Sequence, residues 1–595
     1  MKKLQLTALV LLTLFFMNVT TGSAAGLAKI SYKVSFPEAQ AHYVDVEMTI
    51  SGLAQPSLEV KMPVWAPGSY LVREFAKNIE SLSVSANGKV VSAPKINKNT
   101  WKINTTGLTS VTVKYKVYAF ELSVRTSFID VSHAFLSTTG IFLFPKGMLA
   151  QPSTITIKPY KDWNKVSTSL EMVNGDAFTR TAPSYDILYD SPLEIGTQDV
   201  FDFDVANTHY EVAMYGGGNY DKERLKKDMA KIIEAEAAVF GENPNKHYTF
   251  IVHNKLRNGG GLEHLSSTVL GASRDGYTNE RTYHGFLGLV AHEHFHLWNV
   301  KRLRPIALGP FDYDNENYTT NLWIAEGFTA YYQNIILRYA DLSNTETFLG
   351  DMVSDINTVE NQPGTKVQPL SESSFDAWIK SYRPNENSYN IGISYYDKGA
   401  VIGMLLDLEI INNSNAKYSL NDVMKYMYDT YYKGKKRGYT DAEFKAGFEK
   451  FAGKNLNDFY AQYINGLSAI KYDKYMGYAG YKLADEMAST NNADLGIAVN
   501  TRNIITTVFR DGAGWVDGLN VGDQITNIDD TPVTDISSIK GKKVGDKIVV
   551  TVSRDGQAFK IPVTLKRNDN VKYTITELPN ATPQQLAVRK KWLKL

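Results

Sequence analysis

The sequence predicts a multidomain α+β protein: an N-terminal all-β domain, a mostly helical central domain and a smaller C-terminal β domain. Three observations carry this. The chain has 595 residues, enough for about four domains of average size. Its apolar fraction of 43% and charged fraction of 21% are those of a chain that buries cores along its length. The hydrophobic period also changes twice, from two residues to about 3.6 and back to two.

Residues 1–25 have the texture of an export signal. Lys2 and Lys3 precede an apolar run from Leu4 to Met17, and Ser23, Ala24 and Ala25 supply the small residues of a cleavage site. The run is shorter than the ~20 residues that span a bilayer. Cysteine is absent, which excludes an N-terminal lipid-bearing cysteine, disulfides, thiolate metal sites and cysteine nucleophiles together. Any metal must be held by histidines and carboxylates. The expected product is a soluble periplasmic or secreted protein without membrane association after cleavage. Its net charge of +1 lacks the basic excess of a nucleic-acid binder.

Residues 26–207 form the expected N-terminal β domain. "KISYKVSF" (Lys29–Phe36), "YVDVEMTI" (Tyr43–Ile50), "LEVKMPVW" (Leu58–Trp65) and "VTVKYKVYAF" (Val111–Phe120) alternate with period two between turn clusters. "PVWAPGSYLVREF" combines prolines, glycine and aromatics, as a fixed turn or the wall of a site would. Residues 208–482 form the central domain. Leu225, Met229, Ile232, Ile233, Ala237 and Phe240 recur at helical spacing behind a cap at Asn219 or Asp221. A strand at His247–Asn254, a glycine-rich stretch and a series of helices follow. Residues 488–567 are β-rich again, and 568–595 form a tail ending in "RKKWLKL".

The chemistry concentrates between Gly259 and Tyr396. His292-Glu293-His294-Phe295-His296 contains an H-E-x-x-H pattern, which arises by chance on the order of 0.01 times in a chain of this composition. Histidines at i and i+4 project from one helix face, so His292 and His296 reach one ion. A zinc ion there lowers the pKa of water to about 7 and polarises a carbonyl, and the adjacent Glu293 carboxylate accepts the proton. His294 points off that face and serves packing. A catalytic zinc takes three protein ligands, and no third histidine follows at short spacing. Glu326, set among Trp323, Ile324, Phe328, Tyr331 and Tyr332, is the best third ligand, because a lone glutamate in such company is costly unless paired. Asp312, Asp314 and Glu316 compete from a polar, Asn-rich stretch.

Upstream, Gly259-Gly260-Gly261-Leu262-Glu263-His264 offers glycines that let a backbone approach a ligand and a carboxylate that can bind a free α-amine. Downstream, Tyr395 and Tyr396 precede an apolar helix, and a hydroxyl near the metal would stabilise an oxyanion.

"VAHEHFHLWNVKRLRP" resembles the signature of the glycyl aminopeptidase family of zinc metallopeptidases. That family belongs with the gluzincins, whose catalytic domains resemble thermolysin and aminopeptidase N. "MPVWAPGSYLVREFAKNIE" and "VRTSFIDVSHAFLSTTGIFLFPKG" resemble its β domain; "GGLEH", "WIAEGFTAYY" and "YYDKGA" resemble its catalytic domain. The resemblance implies a zinc aminopeptidase acting on peptides with a free N-terminus, preferring glycine or another small residue. It makes His292, His296 and Glu326 the zinc ligands and Glu293 the general base. Glu263, with Gly260 and Gly261, becomes the substrate-amine site, and Tyr396 the oxyanion donor with Tyr395 its close competitor. His294 departs from the family, which usually has an aromatic residue there. Residues 488–567 resemble a PDZ domain: "ADLGIAV" looks like the loop whose Leu495, Gly496 and Ile497 give backbone N–H groups to a peptide C-terminus. The competing functions are a zinc endopeptidase and a non-catalytic, chaperone-like peptide-binding protein. Loss of Glu293 or of a ligand would favour the latter, and the sequence retains them all.

Overall fold

The structure, a computed structural model, describes residues 28–533, 539 and 541–595. The expected export signal lies outside them. Among the described residues no helix is long and apolar enough to cross a membrane.

Period-two alternation builds the N-terminal unit. In Lys29–Ser35, Tyr43–Ser51 and Ser110–Tyr118 every second side chain is buried, which is how a strand with one covered face folds. Lys29–Ser35 lies mid-sheet, antiparallel to Tyr43–Ser51 and parallel to Ser153–Lys158. This eight-stranded sheet and two smaller sheets of five and four strands share a core that includes Trp101, Phe142, Trp163 and Tyr185.

The central unit begins earlier than expected. Strand Asp199–Val205 pairs with Thr208–Tyr215, and both join a five-stranded sheet with His247–Lys255, Ser267–Ser273 and the edge strand Gly261–Glu263. Phe201 and Val205 belong to the central core. The expected boundary at Asn207 is therefore a hairpin turn: Ala206 and Asn207 have φ of 50° and 60°, the left-handed pair of a two-residue hairpin loop. Helix Lys222–Phe240 follows, its first turn capped by Asp221, which accepts from the N–H groups of Glu223 and Arg224.

Three helices carry the site: Glu280–Phe295, Phe328–Tyr339 and Asp397–Asn413. The last two meet through backbone. A Cβ on Gly327 would fall 2.5 Å from the Gly399 Cα, so only glycine allows this approach.

The C-terminal unit has its own core, including Leu495, Ile505, Ile525, Val550 and Val563, and a four-stranded sheet of Thr531–Pro532, Gln524–Ile528, Lys547–Arg554 and Gln557–Thr564. Residues 568–595 are not a loose tail. Strand Tyr573–Glu577 pairs with Tyr481–Asp485, a strand that the expected boundary at Lys482 would cut. Helix Pro583–Leu593 returns to the central core, where Val588, Trp592 and Leu593 are buried and Trp592 Nε1 donates to the Tyr331 hydroxyl at 2.8 Å. Basic residues mask that apolar face in the sequence.

Candidate metal centre and cleft

Helix Glu280–Phe295 opens on Asn279, whose side chain accepts from Thr282 N–H. It delivers His292 in its last turn and His296 at its C-terminal cap, with the two rings 4.8 Å apart. Glu326 Oε2 lies 3.3 Å from His296 Nε2 and 3.8 Å from His292 Nε2. The far ring nitrogens are committed: His292 Nδ1 donates to Gln333 Oε1 at 2.9 Å and His296 Nδ1 to the Asn299 carbonyl at 2.7 Å. Both Nε2 atoms are thereby turned toward Glu326. A tetrahedral zinc holds neighbouring ligand atoms about 3.3 Å apart, close to the spacing found. Glu326 Oε1 and Glu293 Oε2 are buried without a partner, a costly arrangement that a cation relieves. The donor set fits a tetrahedral divalent ion.

A second His₂Glu cluster shows the contrast. His133 Nδ1 and His253 Nε2 lie 2.7 and 2.9 Å from the two oxygens of Glu194. Those are closed hydrogen bonds, clasping the N-terminal unit to the central sheet strand His247–Lys255.

Glu326 sits in a π-turn, Trp323–Gly327, at the start of helix Phe328–Tyr339. Such turns recur at functional sites because they re-aim side chains. Asn299 fixes it: its Nδ2 donates to the Ile324 carbonyl at 2.9 Å, with the Ala325 carbonyl and Thr329 Oγ1 at 3.3 and 3.2 Å. Asn299 thus orients His296 through its carbonyl and Glu326 through its side chain. The competing carboxylates go elsewhere. Asp314 pairs with Lys61 and Asn99 of the N-terminal unit, Asp312 accepts from Asn315 and the Asp314 N–H, and neither they nor Glu316 joins the cluster.

Glu293, Glu263 and His296 each place a ligand atom within 4.8 Å of the others. Burial pushes the Glu293 carboxyl up to about 7, with His292 and His296 pulling against it. Burial opposes charge on His296 as well, but Glu326 and Glu263 override it and push the ring up to about 9. Glu263 is 3% exposed, and its Oε1 has no partner. Its cradle is the Pro67-Gly68 turn of the "PVWAPGSY" segment, which therefore forms a wall of the site: a Cβ on Gly68, where φ is +84°, would fall 2.5 Å from Glu263 Oε1. Next door, His264 and Lys301 both contact Asp190, and Lys301 overrides burial to hold that carboxyl down to about 2.

The glycines separate by role. Gly261 packs on Glu293, since its Cβ would fall 2.2 Å from Glu293 Oε1, whereas Gly260 is an exposed left-handed turn residue whose carbonyl accepts from Gly271. The structure does not bring Gly260 to the cluster. Gly261→Ala should displace Glu293 and reduce kcat on the order of 10²-fold, with a folded, metal-loaded protein. That estimate follows from the sensitivity of catalysis to ~1 Å shifts. Steady-state kinetics beside metal analysis checks it.

Tyr396 stacks on His292, ring centroids 6.2 Å apart, and is half-buried. Tyr395 stacks behind it, fully buried, its hydroxyl without a partner. His294 faces away from the cluster, bonded to Glu236 and the Tyr210 hydroxyl, and burial lowers it to about 3. In the C-terminal unit, Leu495 is buried, and its carbonyl accepts from Gly514. The Gly496 N–H is already donated to Asp494 Oδ1, so that expected peptide donor is taken; the Asp494 carboxylate caps the turn instead. Ile497 is half-buried at the start of strand Ile497–Val499.

Sequence motifs led to the clustered His292, His296 and Glu326, to Glu293 and to Glu263, but missed Gln333 and Asn299. Gln333 stands seven residues after Glu326, two helical turns along the same face, and that spacing was the available signal.

The sequence matches the family model of the peptidase M61 N-terminal domain over residues 31–197 and that of the M61 glycyl aminopeptidase over 285–402. Among solved structures, an aminopeptidase N family protein from Idiomarina loihiensis is 28% identical, with 95% of this chain and 100% of that one covered and a TM-score of 0.88. An M1 zinc metallopeptidase from Deinococcus radiodurans is 13% identical over 72% of this chain and 90% of that one, TM-score 0.43. Legionella pneumophila aminopeptidase A is 10% identical over 93% and 57%, TM-score 0.47. A search of curated proteins returns no match. The two M61 domain matches stand in order along the chain, and together with the fold shared with the Idiomarina protein they support a metallopeptidase.

Proposed function

We propose that this protein is a zinc-dependent aminopeptidase that removes an N-terminal glycine or other small residue from peptides. The observation that carries it is Glu263: a buried carboxylate with a free oxygen, beside Glu293 and His296. An endopeptidase has no need of a buried anion at that point.

His292, His296 and Glu326 would hold the ion. Bound zinc supplies Lewis-acid polarisation of the scissile carbonyl and acidifies a water. Glu263 binds the substrate's α-ammonium and so sets the first peptide bond beside Glu293. Glu293 takes the proton of the attacking water and returns it to the leaving amine. The Tyr396 hydroxyl donates to the developing oxyanion; its ring against His292 and its half-exposed position favour it over Tyr395. Preference for a small first residue is supported by the space beside Glu263. Between Trp65, Gly68, Tyr70, Phe311 and Leu308 only ≈ 10 Å³ is open, about the room of one water. Export by residues 1–25 and capture of peptide C-termini by the C-terminal β unit, through Leu495 and Ile497, complete the proposal.

The test compares a glycyl peptide with its N-acetylated form. Acetylation removes the charge that Glu263 binds, so kcat/KM should fall about 10²-fold or more, the scale of an unpaired buried charge. Equal cleavage of the two would point to an endopeptidase, and cleavage of neither to a binding protein.

A further inference from the structure

Two arginines beside the cleft have no acidic partner. Arg73 follows the Gly68 turn, and Arg125 lies in the strand-linking segment "VRTSF". Among the described residues neither guanidinium forms an ion pair. Arg73 Nη2 donates to Ser69 Oγ at 3.1 Å and Arg125 Nη2 to the Gly261 carbonyl at 3.2 Å. Both Nε atoms are buried without an acceptor. A guanidinium carries five N–H donors, so most of this donor capacity is unspent. Burial and the neighbouring charge of Arg125 both lower Arg73 from its ordinary range. The two partly buried cations lie close enough to repel, and each keeps donors free for an anion.

Their place relative to the site is defined. Along the edge strand Gly261–Glu263, Arg125 contacts the first residue and the amine-binding carboxylate is the last. Two strand residues span about 7 Å. Burial opposes the charge of Arg125, but Tyr382, Tyr396, Glu293 and Glu263 outweigh it and hold the group above its ordinary range. Thr126 and Ser127, next to Arg125 in sequence, line a cavity of ≈ 490 Å³ together with Arg73, Phe120, Tyr382 and Arg383, with Lys77 and Glu121 also on its wall. A chain bound by its amine at Glu263 and cleaved beside Glu293 therefore runs toward the arginines, and its second or third residue reaches them.

We propose that Arg73 and Arg125 form a carboxylate-binding subsite on the leaving-group side, which selects substrates whose carboxylate closely follows the cleaved bond, above all free di- and tripeptides. This rests on the aminopeptidase reading and adds a length preference to it. The carboxylate can come from the peptide's C-terminus or from an acidic side chain.

The test measures kcat/KM for Gly-Ala, Gly-Ala-NH₂ and Gly-Asp-NH₂ with the wild type, Arg73→Gln and Arg125→Lys. The free acid should exceed the amide about tenfold or more in the wild type, the scale of one charge-assisted hydrogen-bond pair, and chiefly through KM. In Arg73→Gln that ratio should fall toward one. Because the ratio is read within each protein, it is independent of how much of a variant folds. A gain for Gly-Ala alone assigns the α-carboxylate; a gain shared by Gly-Asp-NH₂ assigns any carboxylate at that position. A wild-type ratio near one, or a ratio unchanged in Arg73→Gln, overturns the proposal. Calorimetric binding of Gly-Ala and Gly-Ala-NH₂ to Glu293→Gln separates the two readings. If the wild type hydrolyses nothing, the aminopeptidase reading fails, while equal affinity for acid and amide refutes the subsite by itself.

Discussion

Glu293→Gln should lower kcat about 10³-fold or more, within the range that a positioned general base contributes, and leave metal content and fold intact. The substitution keeps the shape of the side chain, which matters because the residue packs on the bare backbone of Gly261 with no room for a Cβ there. A carboxamide cannot take a proton from water, so the reaction loses its base while the metal-facing atoms of His292, His296 and Glu326 stay in place. Stability should hold or rise, because the carboxylate it replaces is buried with one oxygen unpartnered. Kinetics on a glycyl reporter, metal analysis and a thermal melt on one preparation test all three parts. If kcat stays within tenfold of wild type, the proton goes elsewhere, and Glu263, also within the cluster, becomes the group to examine.

How much of this was legible in the sequence depends on whether a feature acts locally or across the chain. The pair His292 and His296 follows from helix geometry alone, and Glu326 from the cost of a carboxylate among aromatics. The cap was readable down to Asn219 or Asp221, because a cap is a contact with the next three residues, and the structure takes Asp221. Contacts between distant segments were not readable. That Gly327 and Gly399 meet backbone to backbone, that Gly68 makes room for Glu263, and that Asn299 ties two ligands together all depend on tertiary approach. Asn207 looked like a domain boundary because hairpin turns and boundaries share small and polar residues. The C-terminal helix looked like a tail because Arg589, Lys590 and Lys591 sit in the midst of the three apolar residues it buries.

The second large effect is expected at Glu326. Glu326→Ala should remove the metal, reduce activity on the order of 10³-fold or more, and abolish the response of the melting temperature to zinc. The carboxylate is the only anionic member of the proposed ligand triad, and a ligand that binds only the folded state stabilises it by about 2.7 kcal/mol at a hundredfold excess over Kd. In the wild type, then, a chelator should lower the melting temperature and added zinc restore it. In Glu326→Ala the two curves should coincide, since two imidazoles bound to Gln333 and Asn299 remain but lack the third donor. Asp314→Ala is the matched control. It removes a carboxylate that competed for the same role in the sequence, yet one spent on Lys61 and Asn99. That variant should bind zinc as the wild type does and change only the seating of the N-terminal unit. Metal retained by Glu326→Ala and lost by Asp314→Ala would reassign the third ligand to the loop and dismantle the site described above.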